Sequence, residues 1–162
     1  MAIQFSLTSP HVKDLSTLEH WLTLPAILDS IEDSSRLCSD FQNWFQGKKQ
    51  REEIFLLIKH EKEGGETPIG TALLESGDQF LIALAPVFQH QGIAAKAILA
   101  AAKEITRSKG LSKLFANIPR THTAAVRAFS KARFKFERAG IYQGRYCQQY
   151  SFTASTPDVP AS

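Results

Sequence analysis

The feature that most constrains this sequence is a short apolar run followed by a glycine and a long one-sided helix. Residues 80–84 are typical of a β-strand, and Gly92 immediately precedes a helical pattern that ends at Gly110. Apolar residues from Ile93 to Ile105 recur every three or four positions, so they share one helix face. The first N–H groups of a helix are unpaired and lie at its positive end. We therefore predict a phosphate site at this helix start, although a plain turn glycine is the alternative.

The charge of the chain is unevenly distributed. Residues 1–85 carry 7 Lys/Arg and 13 Asp/Glu, whereas residues 86–150 carry 12 and 2. A basic half of this kind suits a polyanionic ligand, such as a coenzyme with several phosphates or a nucleic acid. A solvated basic face without a ligand is the alternative.

The remaining patterns predict a mixed chain. Strands are indicated at 3–7, 53–59, 69–74, 114–118, 134–141 and 146–152, the last two around a turn at Gly144. Helices are indicated from Asp14, after Pro25, over 37–45 with an end at Gly47, and over 123–132.

Length and composition favour one globular domain over residues 1–153, followed by a disordered tail over residues 154–162. No apolar run approaches the roughly 20 residues of a membrane-spanning helix, so we expect a cytoplasmic protein without a membrane partner. The two cysteines, Cys38 and Cys147, have no metal-binding spacing, and we expect no metal.

The strand, Gln89-x-x-Gly92-x-Ala94 and the following helix resemble motif A of the GCN5-related N-acetyltransferase (GNAT) superfamily. The resemblance implies that the pantetheine arm of acetyl-CoA binds the strand backbone at Ile82, Ala83 and Leu84. It also implies that Gln89 belongs to the coenzyme site and that the pyrophosphate is bound at His90, Gln91, Gly92, Ile93, Ala94 and Ala95.

A second segment, from Asn117 to Phe134, resembles motif B of the same superfamily. Its matching positions are Ala125, Lys131 and Phe134. Where the family has Asn, Tyr and Gly, this chain has His122, Phe129 and Arg133. The resemblance places His122 and Phe129 beside the coenzyme.

The resemblance implies an α/β (α+β) fold with a mixed, mostly antiparallel central sheet flanked by helices. It implies transfer of acetyl from acetyl-CoA to an amine by direct attack, with a homodimer left open. The Trp21-Leu22-x-x-Pro25 segment resembles the aminoglycoside and ribosomal-protein acetyltransferase branch. The acidic balance of residues 1–85 suggests a cationic acceptor, either a small-molecule amine or a protein N-terminus or lysine.

The general base is not evident from the sequence. Where relatives place a carboxylate, this chain has Gln79 and Asn117, and neither amide accepts a proton at neutral pH. The candidate catalytic residues are Asp78 and His122, and weaker ones are Glu75 and Tyr142. Each has a structural alternative: a turn residue for Asp78, a helix cap for His122, a solvated strand end for Glu75 and sheet packing for Tyr142.

Two other functions remain open. The missing Tyr and Glu favour a catalytically weakened module that binds coenzyme A for regulation or interaction. The basic cluster between Lys103 and Arg145 would suit nucleic acid, but this region lacks a nucleic-acid motif. We also predict that it lacks exposed aromatic residues interleaved with the basic ones.

Overall fold

The computed structural model of this protein describes residues 4–89 and 92–154. Within these ranges the chain forms seven strands, β1 Gln4–Thr8, β2 Ile54–His60, β3 Glu66–Glu75, β4 Gln79–Leu84, β5 Lys113–Pro119, β6 Lys135–Tyr142 and β7 Arg145–Thr153. It also forms six α-helices, α1 Leu15–Leu22, α2 Pro25–Leu28, α3 Ser34–Ser39, α4 Phe41–Gln50, α5 Ala94–Lys109 and α6 Thr123–Lys131. The strands form one sheet in the order β1-β2-β3-β4-β5-β7-β6, and only β4 and β5 are parallel.

The sheet separates two apolar layers because successive strand residues point to opposite faces. On β3, Ala72 and Leu74 pack in the layer shared with α5 and α6, whereas Leu73 packs with the helices of the N-terminal segment. The predicted fold class, a mostly antiparallel mixed sheet flanked by helices, is therefore confirmed.

The two parallel strands meet at one residue pair. Gln79 of β4 lies opposite Phe115 of β5, and the Phe115 N–H donates to the Asp78 carbonyl over 2.9 Å. Beyond this pair β4 remains paired with β3, and β5 remains paired with β7. The two strands diverge towards their carboxyl ends, which opens the sheet at its centre.

A close approach of β3 to β4 fixes the diverging end of β4. A Cβ atom built on Gly70 would lie 2.3 Å from the Ala83 carbonyl oxygen, so no side chain fits at this position. The β2–β3 register shifts beside it, between Leu57 and Ile58. Next to this register shift, the Ala85 N–H donates to the Ile69 carbonyl, which holds the end of β4 to β3.

The β6–β7 hairpin is tied to the N-terminal helical segment. Its two-residue turn has Gln143 at φ 50° and Gly144 at φ 76°, the left-handed pair that matches the twist of a hairpin. The Tyr142 hydroxyl donates to Glu32 Oε1 over 2.9 Å, and Arg145 Nη1 lies 3.4 Å from Asp29 Oδ2. The hairpin and the α2–α3 connection thus meet across the carboxyl end of β5.

Two sequence predictions, one on the end of a helix and one on exposed aromatic residues, are wrong. Helix α4 continues past Gly47 to Gln50, because Lys48 is buried and its Nζ donates to the Leu74 carbonyl over 2.6 Å. The basic region also exposes an aromatic ring, since Phe136 on the edge strand β6 is 55% exposed.

No helix in the described part of the chain is both long and apolar enough to cross a membrane. The predicted tail lies, from residue 155 onward, outside the described residues. The domain boundary at residue 153 remains a prediction.

Candidate active site

A cleft of about 640 Å³ lies where β4 and β5 diverge. It reaches both faces of the sheet, since its wall includes both Phe80, from the layer of α5 and α6, and Leu81, which packs against the N-terminal helices. The other lining residues come from α2 and its end, β4, β5, the β5–α6 turn, α6 and β7: Ile27, Ser30, Ile82, Ala116, Asn117, Ile118, Pro119, Arg120, Thr121, His122, Ala125, Phe129, Arg145 and Tyr146.

The edge of β4 that faces β5 supplies main-chain groups to this cleft. Of the three residues assigned to the pantetheine, Ile82 lines the cleft, Ala83 is buried and Leu84 is half-buried. The Gln89 side chain donates to the Leu84 carbonyl over 3.1 Å. Gln89 therefore braces the loop between β4 and α5, a role the sequence did not reveal.

The start of α5 matches the requirements of an anion site. Ile93 occupies the N-cap position without a side-chain cap, so the first-turn N–H groups of Ala94 and Ala95 have no capping side chain. Gly92 has φ 70°, and a Cβ there would meet no atom within 4 Å in the described structure. These features suit a pyrophosphate. His90 and Gln91, which were assigned to the same site, lie outside the described residues.

The β5–α6 turn and α6 form another wall of the cleft. His122 occupies the N-cap position of α6 and lines the cleft, but its side chain does not cap the helix. Phe129 is 7% exposed, and its ring packs edge-on against Phe134 at 4.9 Å and against Phe80 at 6.2 Å. The residue that replaces the family tyrosine thus joins the cleft to the apolar core.

A chain of side-chain amides crosses the sheet at the base of the cleft. Gln149 Nε2 donates to Asn117 Oδ1 over 3.3 Å, and Asn117 Nδ2 donates to Gln79 Oε1 over 2.6 Å. Gln79 Nε2 then donates to Asp78 Oδ1 over 3.1 Å. Because a carboxylate only accepts, Asp78 sets the direction of the whole chain. Of its members only Asn117 lines the cleft in the described structure.

Glu75 and Tyr142 are engaged away from the cleft. Glu75 is 3% exposed and forms an ion pair with Lys48 at 3.0 Å, so its interpretation as a solvated strand end is wrong. Tyr142 does not simply pack in the sheet, because its hydroxyl donates to Glu32. Burial first, and then Glu32, raise the pKa of Tyr142, which makes it a weaker acid than a free tyrosine.

The side chains of basic or acidic residues that line the described cleft are all basic: Arg120, His122 and Arg145. Neither arginine belongs to a motif in the sequence, and both are marked there only as part of the basic cluster between Lys103 and Arg145. Across residues 4–89 and 92–154, no group of three or more His, Cys, Asp or Glu is arranged to hold a metal ion.

Comparison with known families identifies the chain. Residues 5–135 match the acetyltransferase (GNAT) domain family. The chain therefore belongs to this family, and the sequence-based assignment to an acetyl-CoA-dependent acetyltransferase family is confirmed. No curated protein sequence matches the chain.

Solved structures share the fold at low sequence identity. The spermidine N-acetyltransferase of Vibrio cholerae, in complex with CoA and spermine, superposes with a TM-score of 0.72 at 15% identity, covering 94% of this chain and 96% of its own. Aminoglycoside acetyltransferase AAC(6')-Ib, in complex with coenzyme A and kanamycin, gives 0.67 at 15% identity, covering 93% and 95%. A domain from Methanocaldococcus jannaschii gives 0.69 at 14% identity, covering 94% and 99%.

Proposed function

We propose that this protein transfers an acetyl group from acetyl-CoA to a small-molecule amine, and that the cleft between β4 and β5 is its active site. The observation that carries the proposal is the single β4–β5 pair at Gln79 and Phe115, beyond which main-chain groups of β4 face a cleft. The uncapped start of α5 lies at the end of the loop that follows β4. The cleft side of β4 therefore offers strand backbone to a pantetheine, and the start of α5 offers helix amides to a pyrophosphate.

We assign the coenzyme to these two segments of the chain. Ile82, Ala83 and Leu84 would bind the pantetheine through main-chain groups, and the α5 start from Gly92 to Ala95 would bind the pyrophosphate. Bound acetyl-CoA supplies a thioester carbonyl that an amine attacks. Free N–H groups of β4 would polarise that carbonyl, and His122 and Phe129 would form the opposite wall.

The cleft favours a mechanism without a protein carboxylate as base. An amine attacks only when it is unprotonated, and the cationic side chains of Arg120 and Arg145 disfavour a protonated amine nearby. Holding the amine close to the thioester supplies much of the remaining rate. Solvent at the open mouth would take the proton.

A second candidate is a coenzyme A-binding module with little activity. The favouring observation is that no carboxylate lines the cleft within the described residues. Calorimetry with coenzyme A and thiol release from acetyl-CoA across a panel of amines separate the two. Binding together with amine-dependent thiol release supports the enzyme, whereas binding without release from any amine supports the module. A cytoplasmic location and a homodimer remain predictions, and gel filtration tests the second.

A further inference from the structure

We propose that the acceptor is an amine that also carries an anionic group, a carboxylate or a phosphate, and that Arg145 and Arg120 bind this group. This inference rests on the proposed function, because it names the substrate class of the same cleft. The acidic balance of residues 1–85 suggested a cationic acceptor instead. None of the acidic residues in that range lines the described cleft, so we propose an anionic group on the acceptor in its place.

Both arginines line the cleft, and both come from the side of it formed by β5 and β7. The Arg120 guanidinium carbon lies 5.7 Å from the centre of the Tyr146 ring, and the Arg120 N–H donates to the Tyr146 carbonyl over 3.3 Å. Arg145 directly precedes Tyr146 on β7. Both arginines therefore lie where the end of β5 pairs with the start of β7. The proposed pyrophosphate site at the start of α5 follows β4, the strand on the other side of the cleft.

Arg145 keeps donors available for a ligand. Within the described residues its side chain contacts Asp29, through one nitrogen at 3.4 Å, and a guanidinium has five N–H donors in a planar fork. Asp29 itself does not line the described cleft, and its side chain is 63% exposed. Asp29 thus holds the arginine in place while leaving a positive surface towards the cleft, and a carboxylate or phosphate matches a guanidinium through paired hydrogen bonds.

The rest of the wall is apolar and limits the acceptor further. Ile27, Leu81 and Ile118 contribute aliphatic surface to the same cleft. A polyamine with several charges would meet like charge here and little polar compensation, which is unfavourable. An amine with a short apolar body and one anionic group fits the lining better.

The test compares acceptors that differ in the anionic group, with kcat/KM expressed per unprotonated amine, because the anionic group also changes the basicity of the amine. Leucine is paired with leucinamide, phosphoethanolamine with ethanolamine, and spermidine represents polycations. We expect kcat/KM to be at least about tenfold higher for the anionic member of one pair, equivalent to about 1.4 kcal/mol. The first pair reports a carboxylate and the second a phosphate. A preference for spermidine, or no preference within either pair, would overturn the inference.

Matched variants separate anion binding from the hairpin contact. Arg145→Gln and Asp29→Asn both remove the ion pair, but only the first removes the cation. We expect Arg145→Gln to reduce the anionic preference at least fivefold, mainly through KM, and Arg145→Lys to restore part of it. Asp29→Asn should retain the preference, and so should Arg107→Gln, a surface change on α5. An equal loss in Arg145→Gln and Asp29→Asn contradicts the inference.

Binding measurements keep the inference testable without turnover. With coenzyme A bound, saturation-transfer NMR should detect leucine or phosphoethanolamine on the wild type and not on Arg145→Gln. If the anion binds but no amine releases thiol, the proposed function fails, and only the binding of the anion at Arg145 stands. If neutral amines release thiol but no anion binds, only this inference fails. A comparable loss of coenzyme A affinity in Arg145→Gln would instead assign the arginine to the coenzyme and overturn the proposal.

Discussion

The Asp78 carboxylate accepts the Gln79 side-chain amide at 3.1 Å, and this bond ends a chain of amides that runs through Asn117 to Gln149. Asp78 therefore acts on the cleft through neighbouring side chains and does not line it. The structure favours an orienting role for this carboxylate over a role as proton acceptor.

Substitution of Asp78 distinguishes these roles. Asp78→Asn retains an oxygen that accepts from Gln79 but removes the basic carboxylate, so turnover should fall by less than about tenfold. Asp78→Ala removes the acceptor as well and should cost more, since it frees the amide chain to reorient. Steady-state kinetics with acetyl-CoA measure both. A loss of about 100-fold in Asp78→Asn, with coenzyme A affinity intact, would identify Asp78 as the base.

Gly92 and Gly110 provide a matched pair for the pyrophosphate site. Both have positive φ, 70° and 65°, and open space around a built Cβ, but they lie at opposite ends of α5. Valine at either position should cost about 1–2 kcal/mol of stability through backbone strain. Only Gly92→Val should weaken coenzyme A binding, by about tenfold or more, or 1.4 kcal/mol. Calorimetry that finds equal affinities for the two variants would place the phosphates elsewhere.

Phe129 tests the alignment of motif B. Because its ring lines the cleft, Phe129→Tyr adds a hydroxyl where the family has one, and turnover should be unchanged or higher. Phe129→Ala should instead lose about 3–5 kcal/mol of stability, since it empties a space between Phe80 and Phe134. A large loss of turnover in a folded, coenzyme-binding Phe129→Tyr protein would show that the alignment is wrong.

Tyr142 should stabilise the hairpin in a pH-dependent manner. Tyr142→Phe removes the hydrogen bond to Glu32, which should cost about 1 kcal/mol at neutral pH. Because the folded-state pKa is raised, this contribution is complete below about pH 10, the ordinary tyrosine pKa, and declines as the pH rises further. Urea unfolding of both proteins at about pH 8 and about pH 11 should show the difference narrowing. If the difference in unfolding free energy between the two proteins were the same at both pH values, the fold would not be raising the pKa of Tyr142.

Arg133 occupies a position that suits glycine. It follows α6 with φ 70°, the left-handed region that costs a side chain energy. Arg133→Gly should therefore raise stability by about 0.5–1 kcal/mol, and the melting temperature by roughly 2–4 °C per kcal/mol. Arg127→Gly, inside the same helix, should lower stability by about 1 kcal/mol. Thermal unfolding that gives both changes the same sign would contradict the conformational explanation.

The sequence predicted the strands and long helices where local patterns are strong. The α5 pattern ends at Gly110 because glycine adopts the left-handed cap at φ 65°, and the hairpin around Gly144 follows from the same preference. The family resemblance marked Arg133 as standing where the family has glycine, but the left-handed backbone there was found only in the structure. Local patterns could not predict contacts between distant segments. The Lys48–Glu75 pair and the Tyr142–Glu32 bond join residues 27 and 110 positions apart, and no periodicity marks them.

Only part of the cleft could be predicted, because local patterns do not reveal contacts between distant segments. The proposed coenzyme site lies within one stretch of the chain, from β4 to the start of α5, so a motif can predict it. The proposed acceptor wall combines α2, the β5–α6 turn and β7, which meet only after the sheet is complete. Arg120 and Arg145 belong to no motif in the sequence, and only the β5–β7 pairing brings both of them to the cleft.

The single pair between β4 and β5 also bears on how the molecule unfolds. One ladder runs from β1 to β4 and another from β5 through β7 to β6, and hydrogen bonds barely connect them. Side chains from both ladders interlock in one apolar layer with α5 and α6, including Leu74 and Phe80 on one side and Leu114 and Phe152 on the other. Cooperativity between the halves therefore depends on packing rather than on backbone bonding. Loosening that layer would let the two ladders exchange amide hydrogens as separate units, with the cleft at the boundary between them.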